Sequence, residues 1–128
     1  KLAEHRLQTQ IDAVKNFNGR PIFIPGNHDW YNGVKGLKRQ EKMVEKALGK
    51  NSFLPENGCG LKKVTINDDL TLIIIDSRWF ISNWDKHPTI NENCDIKSRE
   101  QFINEITSLF KKNRFKELII HQLESRLT

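Results

Sequence analysis

The sequence predicts a layered α/β domain, and three observations predict it. Apolar residues recur at helical spacing in stretches that alternate with short β-branched runs. Two of those runs end on polar, potentially reactive residues, at the strand ends where α/β domains gather their ligands. The chain has 128 residues, about the length of one domain.

Each element follows from local pattern. Leu7, Ile11, Val14 and Phe17 recur at spacings of four and three, which predicts an amphipathic helix over residues 1–18, stopped by Asn18-Gly19. Pro21-Ile22-Phe23-Ile24-Pro25 reads as a short buried strand closed by Pro25-Gly26. A polar loop with Trp30 and Tyr31 leads into a second helix over residues 34–48, with Leu37, Val44, Ala47 and Leu48 turned inward. Pro55, Gly58 and Gly60 make the next connection a loop. Residues 62–67 and 70–76 form two strand-like runs around Asp68-Asp69, the pattern of an antiparallel hairpin.

Residues 77–96, with Trp79, Trp84 and His87-Pro88, read as a long irregular stretch, a functional loop or a cover over one edge. A third helix opens at Ser98, where Ser98 and Gln101 have capping-box spacing. It carries Phe102, Ile106, Leu109 and Phe110 on one face. A final strand over residues 117–120 delivers His121 at its carboxyl end.

Composition narrows the class. Hydrophobic residues are 37% and charged residues 29%, values of a globular chain rather than a disordered or fibrous one. The longest purely apolar run, residues 72–75, is far too short to span a bilayer. A net charge of +5 permits binding to phosphates, nucleic acid or an anionic surface. The densest basic cluster, Lys35, Lys38, Arg39, Lys42 and Lys46, has helical spacing and reads as a solvated helix face, so a nucleic-acid-binding module ranks last. Cys59 and Cys94 are too few and too far apart for a zinc ribbon, which leaves two buried thiols or one disulfide. The only methionine is Met43, and no apolar leader opens the chain, so it reads as a piece of a longer protein.

The chemistry concentrates at Gly26-Asn27-His28-Asp29. Gly26 permits a tight turn directly after a strand. Asn27 offers an amide oxygen, a hard neutral donor suited to a divalent cation. His28 can donate a proton to a leaving group or a hydrogen bond to an anionic oxygen. Asp29 stands where it could orient that imidazole.

These residues resemble the calcineurin-like metallophosphoesterases, whose signature includes Gly-Asn-His-Asp at the end of a buried strand. The wider stretch from Phe23 to Tyr31 is similar to the bacterial members related to purple acid phosphatases, as are Gly58-Cys59 and the run from Ile75 to Trp79. The resemblance implies an α/β/β/α sandwich, of which residues 1–128 would be the central portion of a single domain. It implies hydrolysis of phosphate esters on two metal ions, iron, manganese or zinc. Asn27 and His121 would be metal ligands, His28 the general acid and phosphate contact, and Asp29 its partner. The related bacterial proteins are often exported, which would suit a Cys59–Cys94 disulfide.

Other parts of the family pattern are missing. No Gly-Asp dipeptide occurs, so the Gly-Asp-x-x-Asp motif is absent, as is the closing Gly-His-x-His, and the opening Asp-x-His motif reads as absent from the whole chain. Two protein ligands cannot hold two metals, so this chain alone would carry at most half a site. A non-catalytic fragment of the family is therefore the alternative. Among other candidates, Asp76 closes an apolar strand and could be a ligand, but reads first as a loop or hydrogen-bonding residue, and His5 and His87 read as surface residues. Trp30, Tyr31, Trp79 and Trp84 read as core or loop anchors before pocket walls.

Overall fold

A computed structural model of the chain describes residues 1–112. These form α1 (Leu2–Val14), a 3-10 helix (Asn27–Asn32), α2 (Gly33–Leu48), a 3-10 turn (Glu56–Gly58), β1 (Leu61–Thr65) and β2 (Thr71–Ile75). They continue with α3 (Ser77–Ile81), another 3-10 turn (Trp84–Lys86) and α4 (Arg99–Lys112). Helices combine with a two-stranded antiparallel sheet, a mixed α/β architecture. The strand expected over residues 117–120, and His121 with it, lie outside the described residues.

Helix α1 buries Ile11 and half-buries Leu7 and Val14, as their spacing requires. It ends earlier than expected: Lys15 caps it, its N–H donating to the Ile11 carbonyl at 2.9 Å. Phe17 is 68% exposed rather than on the inner face. Its ring lies over Gly19, in space that a Cβ there would fill. Asn16, Asn18 and Gly19 are poor helix formers, which explains the early stop.

The expected strand over residues 21–25 is reduced to one parallel bridge, Phe23 to Phe53. The Phe23 N–H donates to the Ser52 carbonyl at 2.7 Å, and its own carbonyl accepts from the Leu54 N–H at 2.9 Å. Pro21 and Pro25 have no N–H to continue the ladder, and Ile24 is 48% exposed.

In α2 the inner stripe is Leu37, Glu41 and Val44, with Leu48 half-buried; Ala47 is exposed instead. Buried Glu41 is satisfied across space, its Oε2 accepting the Asn57 N–H at 2.9 Å. Desolvation raises its pKa above the ordinary glutamate value.

The antiparallel hairpin forms as expected, with Leu61 opposite Ile75 through Thr65 opposite Thr71, and the Ile66 N–H donating to the Leu70 carbonyl at 2.9 Å places Asn67 in the turn together with Asp68 and Asp69. Its turn is closed by Asn67, whose Oδ1 accepts the N–H groups of Asp69 and Leu70 at 2.9 and 2.8 Å. Alternation along the strands separates two clusters. Leu61 and Ile75 pack on the main core of Ile11, Trp30, Leu37, Val44, Phe53, Trp79 and Phe102. Val64 and Ile74 close on Leu54, with Ile22 and Leu72 beside them.

Residues 77–96 are more ordered than expected. Asp76 caps α3 by accepting the Trp79 N–H at 3.2 Å, a strong N-cap that turns the chain helical directly after β2. Asn91 then knits the segment: its Oδ1 accepts the Trp79 indole N–H at 2.8 Å, and its amide donates to the carbonyls of Trp84 and Lys97 at 2.7 and 3.3 Å. Cys59 and Cys94 form a disulfide, with Cα atoms 5.7 Å apart, tying this cover to the loop before β1. At the start of α4, Ser98 accepts the Gln101 N–H at 3.1 Å. The Gln101 side-chain Oε1 accepts the Lys97 N–H at 2.8 Å, one residue before the capping box would place it. Phe102 and Leu109 are buried, and Phe110 is 41% exposed.

Candidate functional site

The motif residues stand where the chain leaves the Phe23 bridge and coils into α2. Gly26 is extended, with φ −94° and ψ 178°, a conformation open to any residue. The expectation that Gly26 supplies unusual backbone freedom is therefore corrected; the positive φ falls at Gly33, at 63°. The bend is built by Asp29 instead. Its Oδ2 accepts the Gly26 N–H at 2.7 Å, and its own N–H donates to the Gly26 carbonyl at 3.2 Å. This closes the N-terminus of the 3-10 helix as an acidic side chain does at a helix start.

Asn27 is exposed, and His28 and Asp29 are half-buried. Successive residues of a 3-10 helix project about 120° apart. The Asp29 carboxylate accordingly turns back to Gly26, while the His28 imidazole stacks on the Tyr31 ring, centroids 4.7 Å apart at 23°. Tyr31 is 73% exposed, so the pair stands open to solvent on one side.

Trp30 points the other way and anchors the turn. It is buried, stacks on Trp84 at 5.2 Å, and its indole N–H donates to Asp76 Oδ2 at 2.7 Å. Asp76 thus joins three things: the end of β2, the cap of α3 and the underside of the motif turn. Burial pushes its carboxyl up to about 6. The hydrogen bonds from Trp30, Trp79 and Arg78 oppose that rise, and the charge of Asp29 adds to it. The reading of Asp76 as a hydrogen-bonding residue agrees with this placement. Trp30 and Trp79 are core residues, as the aromatic reading had it.

Asn27, His28 and Asp29 therefore share one rigidly held turn, with Asp76 beneath it; His121 lies outside the described residues. Among the described residues no three His, Cys, Asp or Glu side chains gather into a group that could hold a metal ion. Asn27 is a suitable single oxygen donor. The expectation that the chain holds no Asp-x-His is corrected: the triplet occurs at Asp85-Lys86-His87, after the motif rather than before it. Asp85 there holds α4, accepting the Arg99 N–H at 3.2 Å, and His87 is exposed, tilted against Trp84. His5 is exposed as well. A groove of about 600 Å³ lies between β1 and α4 beside the disulfide, and Asn27 and His28 are not among its lining residues.

One contact and one residue central to this arrangement escaped the sequence reading. The Trp30–Asp76 contact joins positions 46 apart, for which a single sequence holds no signal. Asn91 sits in a polar run that looks like loop; only its burial reveals it. Among the described residues no helix is long and apolar enough to cross a membrane. No protein-family model, curated protein or solved structure matches the chain.

Proposed function

We propose that residues 1–128 are the central portion of a calcineurin-like metallophosphoesterase domain of the branch related to purple acid phosphatases. The complete domain, an α/β/β/α sandwich, hydrolyses phosphate esters using two metal ions, iron, manganese or zinc. The observation that carries this reading is the Gly26-Asn27-His28-Asp29 turn, pinned by Asp29 and Trp30, with the Asn27 side chain exposed and His28 beside it.

Asn27 contributes a neutral oxygen ligand, and His121 a second donor. Metal ions, when bound, supply Lewis-acid stabilisation of charge on the phosphoryl oxygens. The chain's own work falls to His28. Its imidazole, held flat against Tyr31, hydrogen-bonds a phosphate oxygen and gives its proton to the departing alkoxide or phenoxide. Asp29 fixes the turn on which His28 is displayed. The Cys59–Cys94 disulfide favours an oxidising compartment, consistent with an exported, envelope-associated bacterial protein.

The test is hydrolysis of an aryl phosphate by the protein extended through its flanking sequence, with manganese, iron or zinc supplied. Finding Asp-x-His and Gly-Asp-x-x-Asp in that flank would fix the class. Absence of hydrolysis with every metal would overturn it. The alternative, a non-catalytic fragment, is favoured by the missing ligand motifs within the chain. It predicts no two-metal binding by residues 1–128 in calorimetric titration, and a stoichiometry of two would defeat it.

A further inference from the structure

Helix α2 carries its cations on one side. Lys35, Lys38, Arg39, Lys42 and Lys46 are all exposed. At about 100° per residue they fall within one arc of roughly 100°, turned away from the stripe that buries Leu37 and Val44. Lys50 continues the row just past the helix end.

The two carboxylates of the same helix, Glu41 and Glu45, offset only part of this charge against five cations. Glu41 is buried and accepts the Asn57 N–H, and Glu45 Oε1 accepts the Asn51 N–H at 3.2 Å. Both acids are committed to the loop that follows the helix. Among the described residues the ion pairs are Lys15–Asp12, Lys62–Glu56 and Arg99–Asp85, none of them on this face. Lys38, Lys42 and Lys46 follow one another at four-residue spacing, where like charges oppose helix formation.

We infer that the outer face of α2 docks on the anionic headgroups of a phospholipid bilayer. Four or more cations on one side of an amphipathic helix are what such a surface recognises. The face has no exposed aromatic on which bases could stack, which disfavours single-stranded nucleic acid. An open groove of about 530 Å³ runs along it, lined by Lys38, Lys42, Lys46 and Lys50 with Glu41, Glu45 and Asn57, and no apolar side chain is among them. Contact is therefore electrostatic and peripheral, without insertion. This inference stands independently of the phosphoesterase reading.

The test is co-sedimentation of the chain with vesicles of phosphatidylglycerol in phosphatidylcholine, against pure phosphatidylcholine. Binding should require the anionic lipid and vanish near 1 M salt, where the Debye length is about 3 Å. A K38Q/K42Q/K46Q variant should partition about 100-fold more weakly, at about 5-fold per lysine. A K15Q/K63Q/K111Q variant loses the same formal charge elsewhere and should stay within about 3-fold of wild type if position matters. Circular dichroism checks that each is folded. In the unmutated chain, anionic vesicles should shield Lys38, Lys42 and Lys46 from acetylation more than Lys15 and Lys63. No binding to anionic vesicles, equal loss in both variants, or uniform shielding would overturn the inference. So would tighter binding to a single-stranded oligonucleotide at equal phosphate concentration.

Discussion

Asp76 offers the sharpest test of how the motif turn is held. Only 3% of it is exposed, and burial raises its pKa from 3.8 to about 6. Because the folded value lies above the unfolded one, the native state binds more protons than the unfolded state between those two values. Stability from this group is therefore greatest in acid and falls as pH rises through about 4 to 6. Just over two pKa units correspond to about 3 kcal/mol, the cost of keeping the ionised carboxylate in place at neutral pH. Asp76→Asn removes the titration altogether. It also leaves one oxygen where two accept hydrogen bonds from Trp30 and Trp79, a loss of about 1–3 kcal/mol. The variant should be less stable than wild type at pH 4.5 and level with it, or slightly more stable, at pH 7.5. Urea unfolding at both pH values reads this directly. Wild-type and variant stabilities that run parallel across the pH range would refute the reasoning.

Further outcomes follow from the same contacts. Asp29→Ala removes the acceptor of the Gly26 N–H and should lower stability by about 1 kcal/mol, whereas Asp29→Asn should recover most of it, read as shifts in thermal midpoint. Replacing Cys59 and Cys94 together by serine opens a link spanning 35 positions and should cost about 3–4 kcal/mol in denaturant unfolding. Asn91→Ala strands the indole N–H of Trp79 and the carbonyls of Trp84 and Lys97. A loss of about 2–4 kcal/mol is expected, with exchange protection falling across residues 79–97 in hydrogen-exchange mass spectrometry.

The sequence reading succeeded where local pattern decides the outcome. Helix α2, the antiparallel hairpin and the Ser98 cap rest on periodicity and turn chemistry, which act over a few residues. It failed where a distant partner decides. Residues 21–25 look like a strand, yet their prolines leave Phe23 alone to pair, and only with the loop at Phe53. Glu41 occupies an inner position because Asn57, folded back from 16 residues away, satisfies it; Ala47 lost the place its hydrophobicity suggested. At the candidate site, the identity of the motif was legible and its mechanics were not. Gly26 turned out ordinary in conformation, and the shape comes from the Asp29 carboxylate and the Trp30 indole.

The central claim is that His28, displayed on this turn, transfers a proton during phosphate-ester cleavage. The direct measurement compares wild type and His28→Ala in the metal-loaded protein extended through its flanks, on an aryl phosphate and on an alkyl phosphate whose leaving group is poorer. Loss of a general acid should slow alkyl ester cleavage by about 10²–10⁴-fold and aryl ester cleavage by less, because a phenoxide departs with little help. Equal rates for wild type and His28→Ala on the alkyl ester would contradict the claim.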